Sequence, residues 1–344
     1  MKKNFKAVYQ ANRASINKKA AAFLFILSLG LLAGFFIERH MSAAQNADAV
    51  FDFQKIHPLN NHFEFINPLI GFDTSERKYS EYAILKNKIQ LYLDSPNVSG
   101  KASSISVYFR NLETGDWMGI DQNQDYDPAS LLKVPIMLLY FKLAVSDPGI
   151  LSRTYAYTKG DLDLLRLAKG SDETTRLIEG KQYTIEELIR EMIVRSDNIA
   201  KYLLVINSPS NFNEIYGDLG VQIHKDGHTY MISARTYSLF FRTLYNSTFL
   251  NQEMSEKALK LLSESEFKNG LVAGVDSGVK VAHKFGQYTR MDNGKVTSVE
   301  AHDCGIVYYP HAPYLLCVMT RGNDTNQLEG IIQQVSHIAY DFVQ

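Results

Sequence analysis

Ser130 and Lys133 stand three residues apart within YDPASLLKVPIMLL, so on a helix they share a face. A serine hydroxyl is a weak nucleophile until a base takes its proton. A lysine amine held away from water can shed its own proton near neutral pH and act as that base. Asp127 and Pro128 put Ser130 at a helix start, where the N-terminal dipole favours developing negative charge. A second serine follows in Ser196-Asp197-Asn198. Its hydroxyl can relay a proton to a leaving group, while the Asn198 side chain can both donate to and accept from an amide. The third group is Lys284-Phe285-Gly286, where a lysine in a strand can attract a carboxylate and a glycine lets backbone approach closely. Each group also has an ordinary reading, as a cap, a turn or a solvated strand residue. Their weight comes from occurring together, in order, each in the context its chemistry needs.

Those contexts are legible in the hydrophobic pattern. From about Ser75, Tyr82, Ile84, Leu85, Ile89 and Leu91 recur at helical spacing up to Pro96. Two strand-like runs follow, SSISVYFRN from Ser103 and GDWMGID from Gly115, joined by a turn at Glu113-Thr114-Gly115. Residues 131–144 are apolar nearly all round, which predicts a helix buried in a core. Thr184 and Glu187 have capping-box spacing and open a helix that leads into Ser196. Further amphipathic stretches cover 233–245 and 253–264. The chain returns to strands at 278–289, 301–310 and 313–322, then closes on a helix over about 326–342. This order predicts an α+β fold, with an antiparallel sheet assembled from both chain ends and flanked by a mostly helical middle region. A turn centred on Pro310-His311 sets Cys304 opposite Cys317. Two readings of that pair stay open: a bridge in an oxidising compartment, or two buried thiols.

The N-terminus bears on location. Ala20 to Ile37 runs eighteen residues without a charge, which as a helix reaches about 27 Å, close to the hydrocarbon thickness of a bilayer. Lys2, Lys3, Lys6, Arg13, Lys18 and Lys19 precede it and should remain cytoplasmic, placing the C-terminal remainder of the chain outside. The expected organisation is a basic tail (1–19), a transmembrane signal-anchor (20–37), a tether (38–76) partly laid against the domain through Phe65, Ile66, Pro68, Leu69 and Ile70, and a catalytic domain (77–344). A signal peptide cleaved near Ser42-Ala43-Ala44 is the alternative, and it too leaves the domain outside the cytoplasm. The net charge of −1, from 36 basic and 37 acidic residues, gives no sign of a nucleic-acid partner. No cofactor or metal is expected, since two cysteines fit no zinc pattern and His224 and His228 flank a loop-like Asp226-Gly227. His283, next to Lys284, is expected on the opposite strand face, packed or solvated.

Taken together, the three groups form the set found in class A β-lactamases and penicillin-binding proteins. From about residue 77 to its end the chain resembles that family, in YDPASLLKVPIMLL and TIEELIREMIVRSDNIAKYLL as well as in the triplets. The resemblance implies a serine hydrolase that forms an acyl-enzyme at Ser130 with β-lactams or D-Ala-type cell-wall peptides. It makes Lys133 the base and Ser196 the proton relay. Asn198 and Lys284 would bind substrate, and Asp197 would pin the loop. Gly286 and Gln287 would lie along the substrate, with the backbone N–H groups of Ser130 and Gln287 as oxyanion hole. A monomer is expected.

Two departures qualify this expectation. The family's Glu-x-x-x-Asn signature, which supplies the base for deacylation, has no counterpart between Asn213 and Thr243, where the acids are Glu214, Asp218 and Asp226. Phe285 stands where the family usually has a hydroxyl residue that contacts the substrate carboxylate, a hydrogen bond worth about 1.5–3 kcal/mol. Acylation with slow deacylation is therefore expected. The competing expectation is a non-catalytic cell-wall-binding or scaffolding module on the same fold.

Overall fold

A computed structural model describes residues 54–56, 63–68, 71–73, 80–169, 175–221, 224–226 and 229–344. The apolar segment 20–37, the basic tail, much of the tether and His228 lie outside the described residues.

In chain order the elements are a short hairpin of β1 (Gln54–Ile56) and β2 (Gly71–Asp73), α1 (Ser80–Leu93), β3 (Ala102–Asn111), β4 (Trp117–Ile120) and β5 (Asp125–Tyr126). A 3-10 turn at Ala129–Leu132 runs into α2 (Lys133–Ser146), followed by β6 (Thr154–Ala156) and α3 (Lys159–Lys169). Then come β7 (Gln182–Thr184), α4 (Ile185–Val194), α5 (Asn198–Ile206), α6 (Asn213–Asp218), β8 (His224–Asp226), β9 (Thr229–Ser233), α7 (Ala234–Tyr245) and α8 (Gln252–Ser263). The chain closes with β10 (Val281–Asp292), β11 (Lys295–Val307), β12 (Tyr314–Gly322) and α9 (Thr325–Val343).

The main sheet has five antiparallel strands in the order β10-β11-β12-β3-β4. Both chain ends build it, as the pattern predicts. Its strands read as long apolar runs because both faces are covered. Alternate residues serve two cores: Tyr108, Cys304, Leu315, Cys317 and Met319 face the helical region, while Phe109, Val107, Leu316 and Val318 face α1 and α9. Helix α2 is buried nearly all round, from Val134 to Phe141. Among the described residues, Ala129–Ser146 has the length and composition to cross a membrane, but it is the core helix that carries the helical region.

Local signals explain most boundaries. Thr184 caps α4 through a capping box with Glu187, Asp197 caps α5, and Ser233 and Asn251 cap α7 and α8. The β10–β11 hairpin runs further than the apolar pattern predicts, because Asn293 and Gly294 both take positive φ (50° and 75°) and close a tight two-residue turn. His311, at φ 61°, turns β11 into β12. That register pairs Cys304 with Cys317, and the two are joined as a disulfide with Cα atoms 3.9 Å apart.

Phe65 and Ile66, ahead of α1, are buried against the helical region. The Glu256 carboxylate accepts the backbone N–H groups of Glu64, Phe65 and Ile66 at 2.9, 2.9 and 3.0 Å. Tyr308 donates to the Phe65 carbonyl at 2.9 Å.

Gly305, opposite His283 on β11, has no room for a side chain: a Cβ there would lie 2.7 Å from the His283 Cα. Gly305→Ala is expected to cost about 1–3 kcal/mol through overpacking, visible as a lower urea midpoint with an unchanged slope.

Candidate active site

The turn that presents Ser130 is held from behind. Asp127 donates its backbone N–H to Glu300 at 2.9 Å, and its carbonyl accepts from His302 Nε2 at 2.9 Å. Its own carboxylate accepts the Ala129 N–H at 2.8 Å. Arg321 donates to Glu300 at 2.6 Å. Burial alone would raise the Glu300 carboxyl, but hydrogen bonds and charge from His302 and Arg321 outweigh it and hold Glu300 below its ordinary value. This network lets Ala129 keep a left-handed backbone, φ 49°, a strained state that persists only where its surroundings over-determine it. The strain aims the next residue, Ser130, off the start of the core helix.

Lys133, buried one turn on, reaches Ser130 Oγ at 3.1 Å, Ser196 Oγ at 2.9 Å and Asn198 Oδ1 at 2.8 Å, and it also contacts the Ser196 carbonyl. As a neutral amine it has two N–H groups and one lone pair. The carbonyl oxygens of Ser196 and Asn198 can take both hydrogens, which leaves the lone pair for a serine hydroxyl. Ser196 is the second strained residue, φ 56°. Its loop is anchored by Asp197, which caps α5 at the Ala200 N–H (2.8 Å) and accepts from Thr175 Oγ1 (2.6 Å).

Lys284 comes to the same serine from the sheet, 3.0 Å from Ser196 Oγ. It is fully buried, and desolvation pushes its amine down to about 7 despite the opposing Asp303 charge. Its ammonium also touches the Phe285 carbonyl at 3.0 Å and lies 4.0 Å from the centre of the Phe285 ring. Gly286 serves the protein's own packing: a Cβ would sit 3.0 Å from the Pro128 carbonyl and 3.3 Å from the Leu131 N. The close backbone approach expected of this glycine is made by the turn that carries Ser130. Because the 304–317 pair has the close spacing of a non-hydrogen-bonded pair, Cys304 turns its backbone toward Lys284. By alternation Phe285 and Gln287 turn theirs to the open edge of β10, as an oxyanion donor at Gln287 requires. The Gln287 side chain itself bonds Glu329.

A cleft of about 460 Å³ opens on the Ser196–Asn198 side of this cluster, lined by Thr175, Arg176, Ser196, Asn198, Phe267 and Phe285 among others, with Ser130 and Lys133 outside its lining. Its carboxylates, Asp197 and Glu266, are engaged: Glu266 pairs with Arg195 at 2.9 Å and Arg176 at 3.3 Å. Of the acids after the second serine, Asp218 pairs with Lys142 at 2.5 Å and Glu214 lies exposed on α6.

Some of this was out of reach of the sequence. Glu300, His302 and Arg321 belong to no motif, although a run of polar residues in a strand that must be buried is a signal. Phe267 and Thr175 carry none. His283 is buried, 2.8 Å from Asp303, which is the packed reading with a charged partner added. Among the described residues no group of three or more His, Cys, Asp or Glu could hold a metal.

Fold and cluster together are those of a β-lactamase-like serine hydrolase. The sequence profile of the β-lactamase enzyme family matches residues 85–343, and the chain belongs to that family of serine hydrolases. Among solved structures, a point mutant of PBP-A in acyl-enzyme complex with penicillin G is 21% identical and covers 77% of this chain and 98% of its own, with a TM-score of 0.63. A β-lactamase from Chitinophaga pinensis is 18% identical, covers 75% and 98%, and scores 0.62. The class A β-lactamase of Mycobacterium abscessus is 19% identical, covers 75% and 98%, and scores 0.60. A comparison with curated protein sequences finds no match.

The depressed Lys284 amine has a consequence for stability. Between about pH 7 and its ordinary 10.5, the unfolded chain holds a proton that the folded chain has shed. This group's contribution therefore rises with pH across that window and is lowest below it. Lys284→Met removes the dependence. Its unfolding free energy is expected to climb less steeply than the wild type's from pH 7 to 10, by up to a few kcal/mol, as measured by urea titration at each pH.

Proposed function

We propose that the chain is a membrane-anchored, extracytoplasmic hydrolase that forms an acyl-enzyme at Ser130 with β-lactams or cell-wall peptides and releases it slowly. The observation that carries this reading is the reach of one buried amine, Lys133, to both Ser130 Oγ and Ser196 Oγ, at 3.1 and 2.9 Å.

In this reaction Lys133, as the neutral amine, takes the Ser130 proton while Oγ bonds to the substrate carbonyl carbon. The N–H groups of Ser130 and Gln287 receive the charge that develops on the carbonyl oxygen. The carbon–nitrogen bond then breaks. The leaving nitrogen takes a proton from Ser196, which Lys133 replaces, so both lysines and Ser196 end as they began while Ser130 Oγ carries the acyl group until water releases it. Lys284 holds Ser196 in position, and Asn198, oriented by Lys133, contacts the substrate amide. With Glu266 and Asp218 committed to basic partners, water activation falls to Lys133, which supports slow deacylation.

The charge-free run 20–37 behind six basic residues supports an anchor that keeps the catalytic domain, about 77–344, on the outer face of the membrane as a monomer. A non-catalytic wall-binding module is the second reading, favoured by the burial of Lys284 beneath Phe285.

Incubation with benzylpenicillin at millimolar concentration, followed by intact-mass measurement, should give a one-to-one adduct that persists for hours. The adduct should be absent from Ser130→Ala, a loss of at least about 10³-fold in acylation rate. An adduct that forms equally in that variant removes Ser130 as nucleophile. Release within seconds removes the slow-deacylation reading.

A further inference from the structure

We infer that the subsite beside Lys284 selects acyl donors whose leaving side is uncharged and apolar, an ester or amide cap in place of a free carboxylate, because the Phe285–Phe267 pair seals the lysine. This rests on the acyl-enzyme reading above and narrows its substrate class.

The seal is built from both sides. Lys284 is 0% exposed. Its ammonium is spent on Ser196 Oγ, the Phe285 carbonyl and the Phe285 ring. That ring is stacked on Phe267 with centres 4.0 Å apart and planes 14° from parallel. Two groups each 4.0 Å from the ring centre must occupy opposite faces, so Phe285 is clamped between Lys284 and Phe267 and cannot swing aside without losing both contacts. The depressed amine, about 7, leaves much of Lys284 uncharged at neutral pH, which further weakens its pull on an anion.

Among the described residues of the cleft lining, no other cation takes over. The basic residues of the cleft lining are Arg176 and Arg195. Arg176 pairs with Glu266, and Arg195 with both Glu266 and Glu191, so the wall is charge-balanced. A carboxylate entering between Ser196 and the aromatic pair would give up water against phenyl carbons without a new charged partner, which is unfavourable. An apolar cap there gains contact instead.

The test compares benzylpenicillin with its methyl ester, on the full chain in detergent micelles. Acylation of Ser130 is followed by intact mass, each rate being divided by that compound's own rate of alkaline hydrolysis. The wild type should favour the ester by tenfold or more. Phe285→Thr, which opens the lysine and restores a hydroxyl, should shift the ratio toward the free acid by at least tenfold. If that variant does not fold by circular dichroism, Phe267→Ala loosens the same clamp and should move the ratio the same way. A wild type that takes the free acid as fast as the ester, or a ratio that neither variant moves, overturns the inference. So does a protein that a fluorophosphonate modifies at Ser130 while both penicillins leave it untouched. If the fluorophosphonate also fails, the acyl-enzyme reading itself has fallen.

Discussion

A lysine amine buried among oxygens is the constraint around which the molecule is organised. Lys133 has no exposed surface, and an unsatisfied amine in such a place would cost several kcal/mol. It is satisfied by groups from two separate parts of the chain, Ser130 on its own turn and the Ser196–Asn198 loop. In the proposed reaction, the same contacts that make its burial tolerable also let it move a proton between two serines. Stability and chemistry therefore draw on one set of hydrogen bonds, and removing any partner disturbs both.

Holding that set together requires strain at Ala129 and Ser196, the left-handed residues at its two ends. The strain is sustained from outside the cleft. Behind the first stands the Glu300–Arg321–His302 network, and behind the second the Asp197 cap with Thr175. Gly286 completes the arrangement by letting β10 press against the nucleophile turn. The sheet thus delivers Lys284 to Ser196 and offers the open edge of its outer strand as one wall of the site.

The centre and one margin of the site differ in character. Lys133 stands within hydrogen-bond distance of both serines, whereas the wall beside Lys284 is built of phenyl rings. A wall of that kind leaves the bond-breaking chemistry alone and alters what can stand next to it. Specificity can therefore diverge while the reacting atoms stay in place.

The order of the main-sheet strands, the fully apolar core helix, the capping box at Thr184 and the pairing of Cys304 with Cys317 were legible in the sequence, because periodicity, caps and turn symmetry are local properties, whereas the short pairs β6–β7 and β8–β9 inside the helical region were not, being too brief to show a period. The three groups that the fold brings together around Lys133 and Ser196 were legible too, since their spacing is short within each motif. Sequence could not say whether His283 was packed or solvated, whether the cysteines were bridged, or that Gly286 makes room for the protein's own turn. It also held no sign that Phe267, from the loop after α8, would meet Phe285 and close over Lys284. Those outcomes depend on contacts between residues far apart along the chain, and only the packing of the helical region against the sheet brings such residues within reach of one another.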